Sequence, residues 1–451
     1  MKVDFLFIYE VKARELENIC LLKYELESRG YSVAFINTWY YLRTRVPCYK
    51  AKVVVSFGLY NDATYKFICT FVNKFNKLIN MQWEQVGTKS DEISEKSQFL
   101  ISGLARNAVH ICWGGNTKER LMQKCRIDEK KLKLTGHIAL DFLRYNLVTY
   151  YRTKEEIFGQ YNIPLQNKRV CLFISSFSYV NLPDNIIENT PDLGYDLRHF
   201  VRISNESQAE VIKWITRILS KDKDIIFIYR PHPAESENIE LQKLSLSLSN
   251  FFVIGELSVK QWILVSDVIY NWYSTSFAEI FRSRKQCYIL RPIQIPKDID
   301  LAMCEGSKFI CDFDSFESTI MAEPSGFPIK DEVIFGYYYI DENEPAYIKL
   351  CDSFIEVYTD DYYLLPKLKK SQKQSFLEKL KMVVYKSFIS NIVDYLCIKT
   401  TLKVPILERR RLSMHSGYEM YRIKQAQINY VSKDEIETIV NRIKMILEKN
   451  R

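Results

Sequence analysis

The stretch Ile225–Glu235, which reads IIFIYRPHPAE, predicts more of the fold than any other part of the chain. It opens as a short apolar run of the composition expected for a buried strand. Its two prolines end that strand and stiffen the loop that follows. This stiff loop carries Arg230 and His232, and both side chains are able to bond a phosphate. The stretch therefore predicts an anion site at the end of a strand.

A second strand-to-helix junction follows about forty residues later. An apolar strand ending at Tyr270 precedes the hydroxyl side chains of Ser274, Thr275 and Ser276, and Glu279 lies one turn further on. We expect the hydroxyls to hold a phosphate at the start of a helix, where free N–H groups favour anions. Glu279 would accept from ribose hydroxyls, and an ordinary helix cap is the alternative for the tripeptide. Together the two junctions predict a nucleotide site at the edge of a parallel sheet.

Further residues near these junctions are candidates for the same phosphate. Ser175 and Ser176 follow the expected strand Arg169–Ile174, with a polar turn as the alternative interpretation. Pro233 fixes the loop beside His232, whose protonated ring would neutralise charge on a leaving group. The predicted nucleotide site therefore also draws on the first strand of its domain.

Composition indicates a folded chain of more than one domain. The 451 residues are 47% hydrophobic and 14% aromatic, which suffices for sizeable cores and argues against disorder. No apolar run reaches the roughly 18 residues of a membrane-spanning helix. The N-terminus reads directly into a strand, so we expect neither a signal nor a transit peptide. These features predict a cytoplasmic protein, placed peripherally at the inner membrane face if its basic segment binds lipid.

Cysteine usage and motif searches exclude several kinds of chemistry. The eleven cysteines form no CxxC pair, which fits a reducing compartment and argues against zinc knuckles. No Walker loop, GxSxG, HExxH or GxGxxG occurs. Of the three Asp-x-Asp tripeptides, 222–224 precedes its strand, and 298–300 and 312–314 are expected in loops. We therefore expect no metal and no cofactor beyond a nucleotide-sugar substrate.

Strand and helix patterns alternate in two halves of the chain, which predicts two α/β domains with parallel sheets. The expected boundaries are 1–150 and 165–345, joined by the polar stretch Tyr145–Asn167. In the second half we expect a loop over Asn181–Arg202 and a helix over Glu206–Leu219. The expected strands are Val3–Tyr9, Tyr31–Ile36, Lys52–Phe57, Leu78–Trp83, Val109–Trp113, Lys131–Leu134, Arg169–Ile174, Asp224–Tyr229, Phe251–Ile254, Val268–Tyr270 and Cys287–Leu290.

The last part of the chain, 346–451, is expected to be a helical basic extension that packs back on the first domain or on a membrane. Within it, 367–424 carries fourteen Lys/Arg and four acidic residues, whereas the whole chain has a net charge of +8. Apolar residues at near-helical spacing accompany the lysines. An anionic membrane surface is one interpretation, and a helix docked on its own protein is the other. Nucleic acid is not expected, because no nucleic-acid-binding signature occurs.

The order of these motifs resembles that of bacterial surface-carbohydrate transferases. Val109–Gly114 and Lys131–Arg144 resemble the end of the first domain in CDP-glycerol glycerophosphotransferases and capsule Kdo transferases. Their second domain likewise has a His-Pro dipeptide after a strand, then Ser-Asp, a strand, Ser-Thr-Ser and a helical Glu. The segments Phe7–Leu16 and Met81–Gln85 are most similar to proteins known as surface carbohydrate biosynthesis proteins. The resemblance spans about residues 1–345.

This resemblance implies a GT-B-like fold, in which two Rossmann-like domains face a cleft, and a glycosyltransferase activity. The donor would be a CMP-, UDP- or CDP-linked sugar, and the acceptor a surface polysaccharide, such as capsule or lipopolysaccharide, or a lipid-linked glycan. In such a cleft a base for the acceptor hydroxyl comes from the first domain. Glu84 and Glu10, which follow strands, are the catalytic candidates, with a helix-terminal acid and an ion-paired surface acid as the alternatives.

Three other functions remain open from the sequence. A CDP-polyol phosphotransferase of the same architecture would use much the same second domain. A non-catalytic polysaccharide-assembly protein would retain the fold without binding nucleotides. A sugar-nucleotide epimerase shares the architecture as well, because a fold by itself does not define a function.

Overall fold

The structure of the protein is a computed structural model that describes residues 1–39, 49–72, 74–94, 97, 99–164, 167–190, 195–233, 235, 238–323, 326–366, 405 and 425–449. Two sheets of six parallel strands, each flanked by helices, occupy these residues. The predicted α/β class, with two Rossmann-like domains in a GT-B-like arrangement, is therefore confirmed.

The first sheet has the strand order β2-β1-β3-β4-β5-β6. Its strands are β1 Lys2–Tyr9, β2 Val33–Asn37, β3 Lys50–Ser56, β4 Lys77–Asn80, β5 Val109–Cys112 and β6 Leu132–Leu134. The helices beside it are α1 Lys12–Ser28, α2 Asp62–Cys69, α3 Lys89–Ile93 and α4 Gly115–Gln123. The order in which strands are added to this sheet reverses at β1. Strand β2 lies on one side of β1, and all later strands lie on the other.

The second sheet has the strand order β12-β11-β10-β7-β8-β9. Its strands are β7 Arg169–Ile174, β8 Ile225–Arg230, β9 Phe251–Val253, β10 Val268–Asn271, β11 Gln286–Leu290 and β12 Phe309–Ile310. The helices beside it are α5 Lys154–Gln160, α6 Asp184–Asn189, α7 Leu197–Lys221, α8 Ile239–Ser247, α9 Val259–Val265, α10 Phe277–Arg282 and α11 Phe313–Ile320. Three further helices are α12 Asp331–Tyr337, α13 Ala346–Thr359 and α14 Lys433–Lys449.

Burial explains why the predicted strands appear as unbroken apolar runs. Every residue of β8 and of β10 is buried, because helices cover both faces of the sheet. Alternating residues of β8 accordingly belong to two different cores: Ile226 and Ile228 to one, Phe227 and Tyr229 to the other. A strand covered on both faces shows no polar alternation, so its length and β-branched composition were the useful signal.

The expected loop Asn181–Arg202 is largely wrong. Helix α6 lies within it, and α7 starts at Leu197, nine residues before the predicted start, and runs for 25 residues. The physical reason is a helix cap, since the Asp196 carboxylate accepts a hydrogen bond from the His199 N–H at 3.2 Å. The two-residue edge strand β12 was also missed, and Asp312, expected in a loop, caps α11 by accepting from the Ser315 N–H.

The chain returns from the second domain to the first through a tightly packed crossing. The Tyr339 N–H donates to the Trp113 carbonyl at 2.6 Å. A Cβ on Gly114 would lie 2.3 Å from the Tyr337 backbone, and one on Gly136, which has φ +83°, would lie 2.4 Å from the Tyr339 carbonyl oxygen. Both positions therefore need glycine, because the crossing backbone occupies the space of a side chain. Beyond this crossing, α13 and α14 pack against α1.

Asp141 anchors the start of α13 from the first domain. Its buried carboxylate accepts hydrogen bonds from the Ala346 N–H at 3.1 Å and the Tyr347 N–H at 2.7 Å. Burial raises the pKa of Asp141 to about 6, and the two backbone bonds oppose that shift. The helix that Asp141 caps starts about two hundred residues further along the chain.

The basic segment 367–424 lies outside the described residues, apart from residue 405. Its predicted contact with a membrane stays a prediction. Across the described part of the chain, no helix combines the length and the apolar character that crossing a bilayer would require.

We expect Asp141→Ala to lower the free energy of unfolding by about 1–2 kcal/mol, because two buried N–H groups of α13 lose their acceptor. Urea unfolding followed by circular dichroism measures this change. Glu332→Ala, which removes an exposed carboxylate on α12, is the control and should shift stability by less than about 0.5 kcal/mol. Equal effects of the two substitutions would contradict the capping role.

Candidate functional site

A cleft of about 680 Å³ lies between the two domains. One wall is formed by the first domain, from Trp83 to Ser97 after β4 and by Trp113 after β5. The other wall comes from the second domain and includes Ser176 after β7, His232 after β8, and residues after β10. The carboxyl ends of strands from both sheets therefore converge on one space.

The second-domain wall coincides with a change of direction in its sheet. From β7 the chain adds β8 and β9 on one side and β10, β11 and β12 on the other. The loops that leave β7, β8 and β10 diverge there and leave a crevice, which is where ligands bind in open α/β sheets. Ser176, His232, Ser274 and Thr275 line that crevice. The structure thus brings together the two predicted junctions.

His232 lies at the exposed side of the cleft and is surrounded by charged residues of both domains. Burial lowers its pKa, the Glu84 carboxylate from the opposite wall raises it, and the Arg230 guanidinium lowers it. The balance keeps the pKa of His232 below its ordinary value, so the ring is largely neutral at pH 7. A neutral imidazole still donates one N–H to an anion.

Arg230 does not face the cleft, which corrects its assignment to the phosphate. Its buried guanidinium donates to the carbonyl oxygens of Gly255, Glu256 and Leu257, at 3.2, 2.9 and 2.7 Å. It therefore holds the loop after β9 in place. Burial lowers the pKa of Arg230 to about 10, and Glu256 opposes that shift.

The serine-rich junction after β10 is only partly available to a ligand. Ser274 and Thr275 line the cleft, whereas Ser276 is the residue before α10 and accepts from the Ser274 hydroxyl at 3.1 Å. The helix that follows is six residues long. Such a short helix has little macrodipole, so the expected contribution of a helix start is corrected in favour of the hydroxyl groups.

Ser175 and Glu279, two other predicted contacts, belong to neighbouring clusters. The Ser175 hydroxyl donates to Glu235, which leaves Ser176 as the serine of this pair that lines the cleft. Pro233 is exposed beside His232 and is absent from the described lining. Glu279 is also absent from that lining and belongs to a charge cluster, and its contact with a ribose stays a prediction.

That charge cluster joins the two domains. Lys260 of α9 contacts Glu17 of α1 at 2.5 Å, with side chains only 4% and 12% exposed. The Tyr151 hydroxyl donates to Glu17 at 3.1 Å. Burial raises the pKa of Glu279, and Lys260 opposes the shift. The cluster is thus a buried interdomain contact in which one lysine serves two carboxylates.

The two catalytic candidates lie in one cluster of charges at the carboxyl edge of the first sheet. Glu84 lines the cleft, is 67% exposed and pairs with Arg14, which also binds Glu15 at 2.8 Å. Burial raises the pKa of Glu10 to about 7, with the Glu15 and Glu84 carboxylates adding to the shift and Arg14 opposing it. Among the described contacts, no hydrogen bond to the Glu10 carboxylate occurs. Glu10 is therefore the carboxylate suited to take up a proton near neutral pH.

Aromatic residues that the sequence did not single out form the deep end of the cleft. Tyr179, Tyr195 and Tyr273 surround Phe200, with ring centroids 5.1, 6.1 and 5.3 Å from it. Asp91 on the opposite wall is close enough to affect the pKa of Tyr195, which burial raises. The only available signal was the aromatic content of the stretch before α7. These rings offer a flat surface to a sugar or base.

Charge within the cleft is sparse. Among the described residues that line it, His232 is the sole basic one, whereas Glu84 and Asp91 are acidic. Hydroxyl groups make up most of the remaining polar lining. An anion here would be held by hydroxyls and one imidazole, without a lysine or arginine.

One end of the cleft is bridged by backbone hydrogen bonds between the domains. The Lys89 N–H donates to the Asp300 carbonyl at 3.0 Å, and the Ser90 N–H to the Asp298 carbonyl at 2.7 Å. The Ala302 N–H donates in return to the Gly87 carbonyl at 3.0 Å. The tripeptide 298–300 lies in a turn, as expected, and the antiparallel bridge to the first domain pairs Leu301 with Thr88.

The fold and the cleft define an α/β protein of GT-B-like architecture. Neither a family model nor a curated protein matches the sequence. Among solved structures, UDP-GlcNAc 2-epimerase from Neisseria meningitidis bound to UDP-GlcNAc is similar, at TM-score 0.47 and 12% identity over 79% of this chain and 100% of that one. UDP-GlcNAc 2-epimerase from Methanocaldococcus jannaschii, in complex with UDP-GlcNAc and UDP, is also similar. Its TM-score is 0.46 and its identity 12%, over 74% of this chain and 98% of that one.

Another similar structure is the wall teichoic acid polymerase TagF with CDPG. It has TM-score 0.46 and 13% identity over 79% of this chain and 89% of that one. Likeness at these values carries no argument about activity, so the activity has to be argued from the cleft.

We expect Glu10→Gln to stabilise the protein at pH 8 and to leave its stability nearly unchanged at pH 4. At pH 4 the carboxyl is protonated in both folded and unfolded chains; above pH 7 it is ionised in both, and the folded state alone has to desolvate the charge. Wild-type stability thus falls as pH rises from about 4.5 to 7. The gain at pH 8 is at most about 3 kcal/mol by linkage, measured by urea unfolding at both pH values. Glu119→Gln, at an exposed position, should show no such pH dependence, and an equal gain for both variants would contradict the assignment.

Proposed function

We propose that this protein is a glycosyltransferase that transfers a sugar from a nucleotide donor to a surface polysaccharide or lipid-linked acceptor. The observation that carries the proposal is the crevice at the point where the second sheet changes direction. There, Ser176, His232, Ser274 and Thr275 from three neighbouring strands face the carboxylate-bearing edge of the first sheet. The motif order described in the sequence supports the surface-polysaccharide acceptor.

The proposed donor site holds the phosphate between the hydroxyls and the imidazole. His232 donates one N–H, and Ser176, Ser274 and Thr275 supply hydroxyl donors around it. Because His232 is the lone basic group in the described lining and its ring is largely neutral at pH 7, the site offers little positive charge and suits one phosphate better than two. This favours a nucleoside monophosphate link, the CMP case, over a UDP or CDP donor. The ring of Tyr273 beside Ser274 offers a surface for the sugar or base.

The proposed reaction places the acceptor on the first-domain side. The acceptor hydroxyl forms a bond to the anomeric carbon while the bond from that carbon to the phosphate oxygen breaks, and the nucleotide leaves with its electrons. The acceptor proton passes to Glu10, whose pKa of about 7 suits a base. Glu84 pairs with Arg14 and thereby keeps the Arg14 guanidinium beside the acceptor. His232 bonds the departing phosphate.

We expect calorimetric titration to show tighter binding of CMP than of CDP or UDP. His232→Ala should weaken CMP binding about tenfold, because a hydrogen bond to a charged group contributes about 1.5–3 kcal/mol. His199→Ala is the control, since His199 is a partly exposed histidine on α7 and is not part of the described lining. The proposed donor site would be overturned if none of the three nucleotides binds. It would also be overturned if wild type and His232→Ala bind CMP equally well.

The assignment of the base predicts a pH profile. With a nucleotide donor that binds, kcat/KM should rise with pH to a plateau above about pH 7, and Glu10→Gln should lower kcat by roughly 10²–10⁴-fold. Glu84→Gln should lower activity less and move the midpoint of the profile to lower pH, because the Glu84 carboxylate contributes to the raised pKa of Glu10. A Glu10→Gln enzyme with the wild-type pH profile would exclude this residue as the base. Analysis of the product distinguishes a new glycosidic bond from a new phosphodiester.

A further inference from the structure

A single carboxylate, that of Glu235, holds the loop that carries His232. One of its oxygens accepts from the His232 N–H at 3.0 Å and from the Ser175 hydroxyl. The other oxygen accepts from the Tyr229 hydroxyl at 2.6 Å and from the Gln208 side-chain amide at 2.9 Å. Four donors thus converge on one side chain three residues after the histidine.

The four donors come from different elements of the second domain. Ser175 follows β7, Tyr229 is on β8 and Gln208 is on α7, and all three residues are buried. The Glu235 N–H also donates to the His232 carbonyl at 2.8 Å, which closes the turn. Because the partners belong to a strand end, a strand and a long helix, the carboxylate ties a short loop to rigid parts of the domain.

The hydrogen-bonding pattern requires the ionised form of Glu235. A carboxylate is an acceptor at both oxygens, which matches four donors, whereas a carboxylic acid would place a proton against one of them. Burial raises the pKa of Glu235, and its bonds to Ser175, Tyr229, His232 and Gln208 lower it. The hydrogen bonds that hold the loop therefore also favour the ionised form of Glu235.

Glutamine cannot reproduce this arrangement. An amide nitrogen in place of the first oxygen would set a donor against the backbone N–H of His232, and that N–H is a donor that cannot rotate to avoid it. In place of the second oxygen it would oppose the amide of Gln208, whose own oxygen already accepts from Asn238 at 2.9 Å. Either orientation of the amide leaves two donors facing each other or breaks a buried bond.

We propose that Glu235 is a positioning residue that fixes the His232 imidazole at the donor phosphate, by binding the loop to Ser175, Tyr229 and Gln208. This proposal rests on the proposed function of the cleft, since it takes His232 as the phosphate ligand. Glu235 itself is outside the described lining of the cleft and acts through the histidine.

The test compares wild type, Glu235→Gln and Asp267→Asn. The Asp267 carboxylate accepts from the Val170 N–H at 2.8 Å near the start of β7, at the opposite edge of the same sheet. It is a matched control, because Asp267→Asn makes the same carboxylate-to-amide change at a backbone contact without touching the His232 loop. The chain has five histidines, so the ring resonance of His232 in ¹H–¹³C NMR spectra is assigned from the spectrum of His232→Ala.

We expect Glu235→Gln to shift or broaden the His232 resonance and to weaken CMP binding about tenfold, as loss of one charge-assisted bond implies. Asp267→Asn should leave both the resonance and CMP affinity unchanged. An unaltered His232 resonance in a folded Glu235→Gln protein would overturn the proposal. Equal changes in Asp267→Asn would overturn it too, because the effect would then be a general loss of stability.

A second variant covers the case in which Glu235→Gln does not fold. Tyr229→Phe removes one of the four donors and preserves the ring in the core. We expect a smaller shift of the His232 resonance and a two- to fivefold weaker affinity for CMP. An unchanged resonance and affinity would count against the proposal.

The two proposals fail separately. If wild type binds no nucleotide while Glu235→Gln still moves the His232 resonance, the donor site is wrong and the positioning contact is real.

Discussion

The buried pair between Glu17 and Lys260 is the constraint on which the cleft depends. It joins α1 of the first domain to α9 of the second, with little exposure of either side chain. Removal of one partner would leave an uncompensated charge inside the interface, at a cost of several kcal/mol. Together with the Tyr151 hydroxyl bond to Glu17, the pair keeps the carboxyl edges of the two sheets opposed. The site is therefore a property of the domain contact as much as of either domain.

The sequence predicted the sheet strands well because burial on both faces leaves a simple signature. Arg169–Ile174 was predicted with the bounds that the structure has, and most other strands within a few residues. The start of α7 was missed because two prolines and several acids before it indicated a loop, while its cap, Asp196, gives no periodic signal. The strand β12 is too short for any pattern to show.

Site residues were predicted less well, because the type of a side chain does not say which way it faces. Arg230 and His232 are two positions apart, yet the arginine bonds carbonyls of its own domain and the histidine faces the cleft. Ser175 and Ser176 differ in the same way, because Ser175 bonds Glu235 and Ser176 faces the cleft. Alternation along an extended backbone accounts for the adjacent serines. The other pair differs because Arg230 is the last residue of its strand, whereas His232 lies beyond Pro231 in the loop that follows. Glu235 itself was visible three residues after the histidine, but only the structure shows that four donors converge on it.

The backbone bridge between 87–90 and 298–302 limits how far the two domains can separate at one end of the cleft. Wide separation there would have to break several interdomain hydrogen bonds. A ligand therefore reaches the cleft from the end away from the bridge. Under the proposed function, an acceptor glycan would enter that end tip first and keep its body in solvent, and it would then grow by one terminal residue at a time.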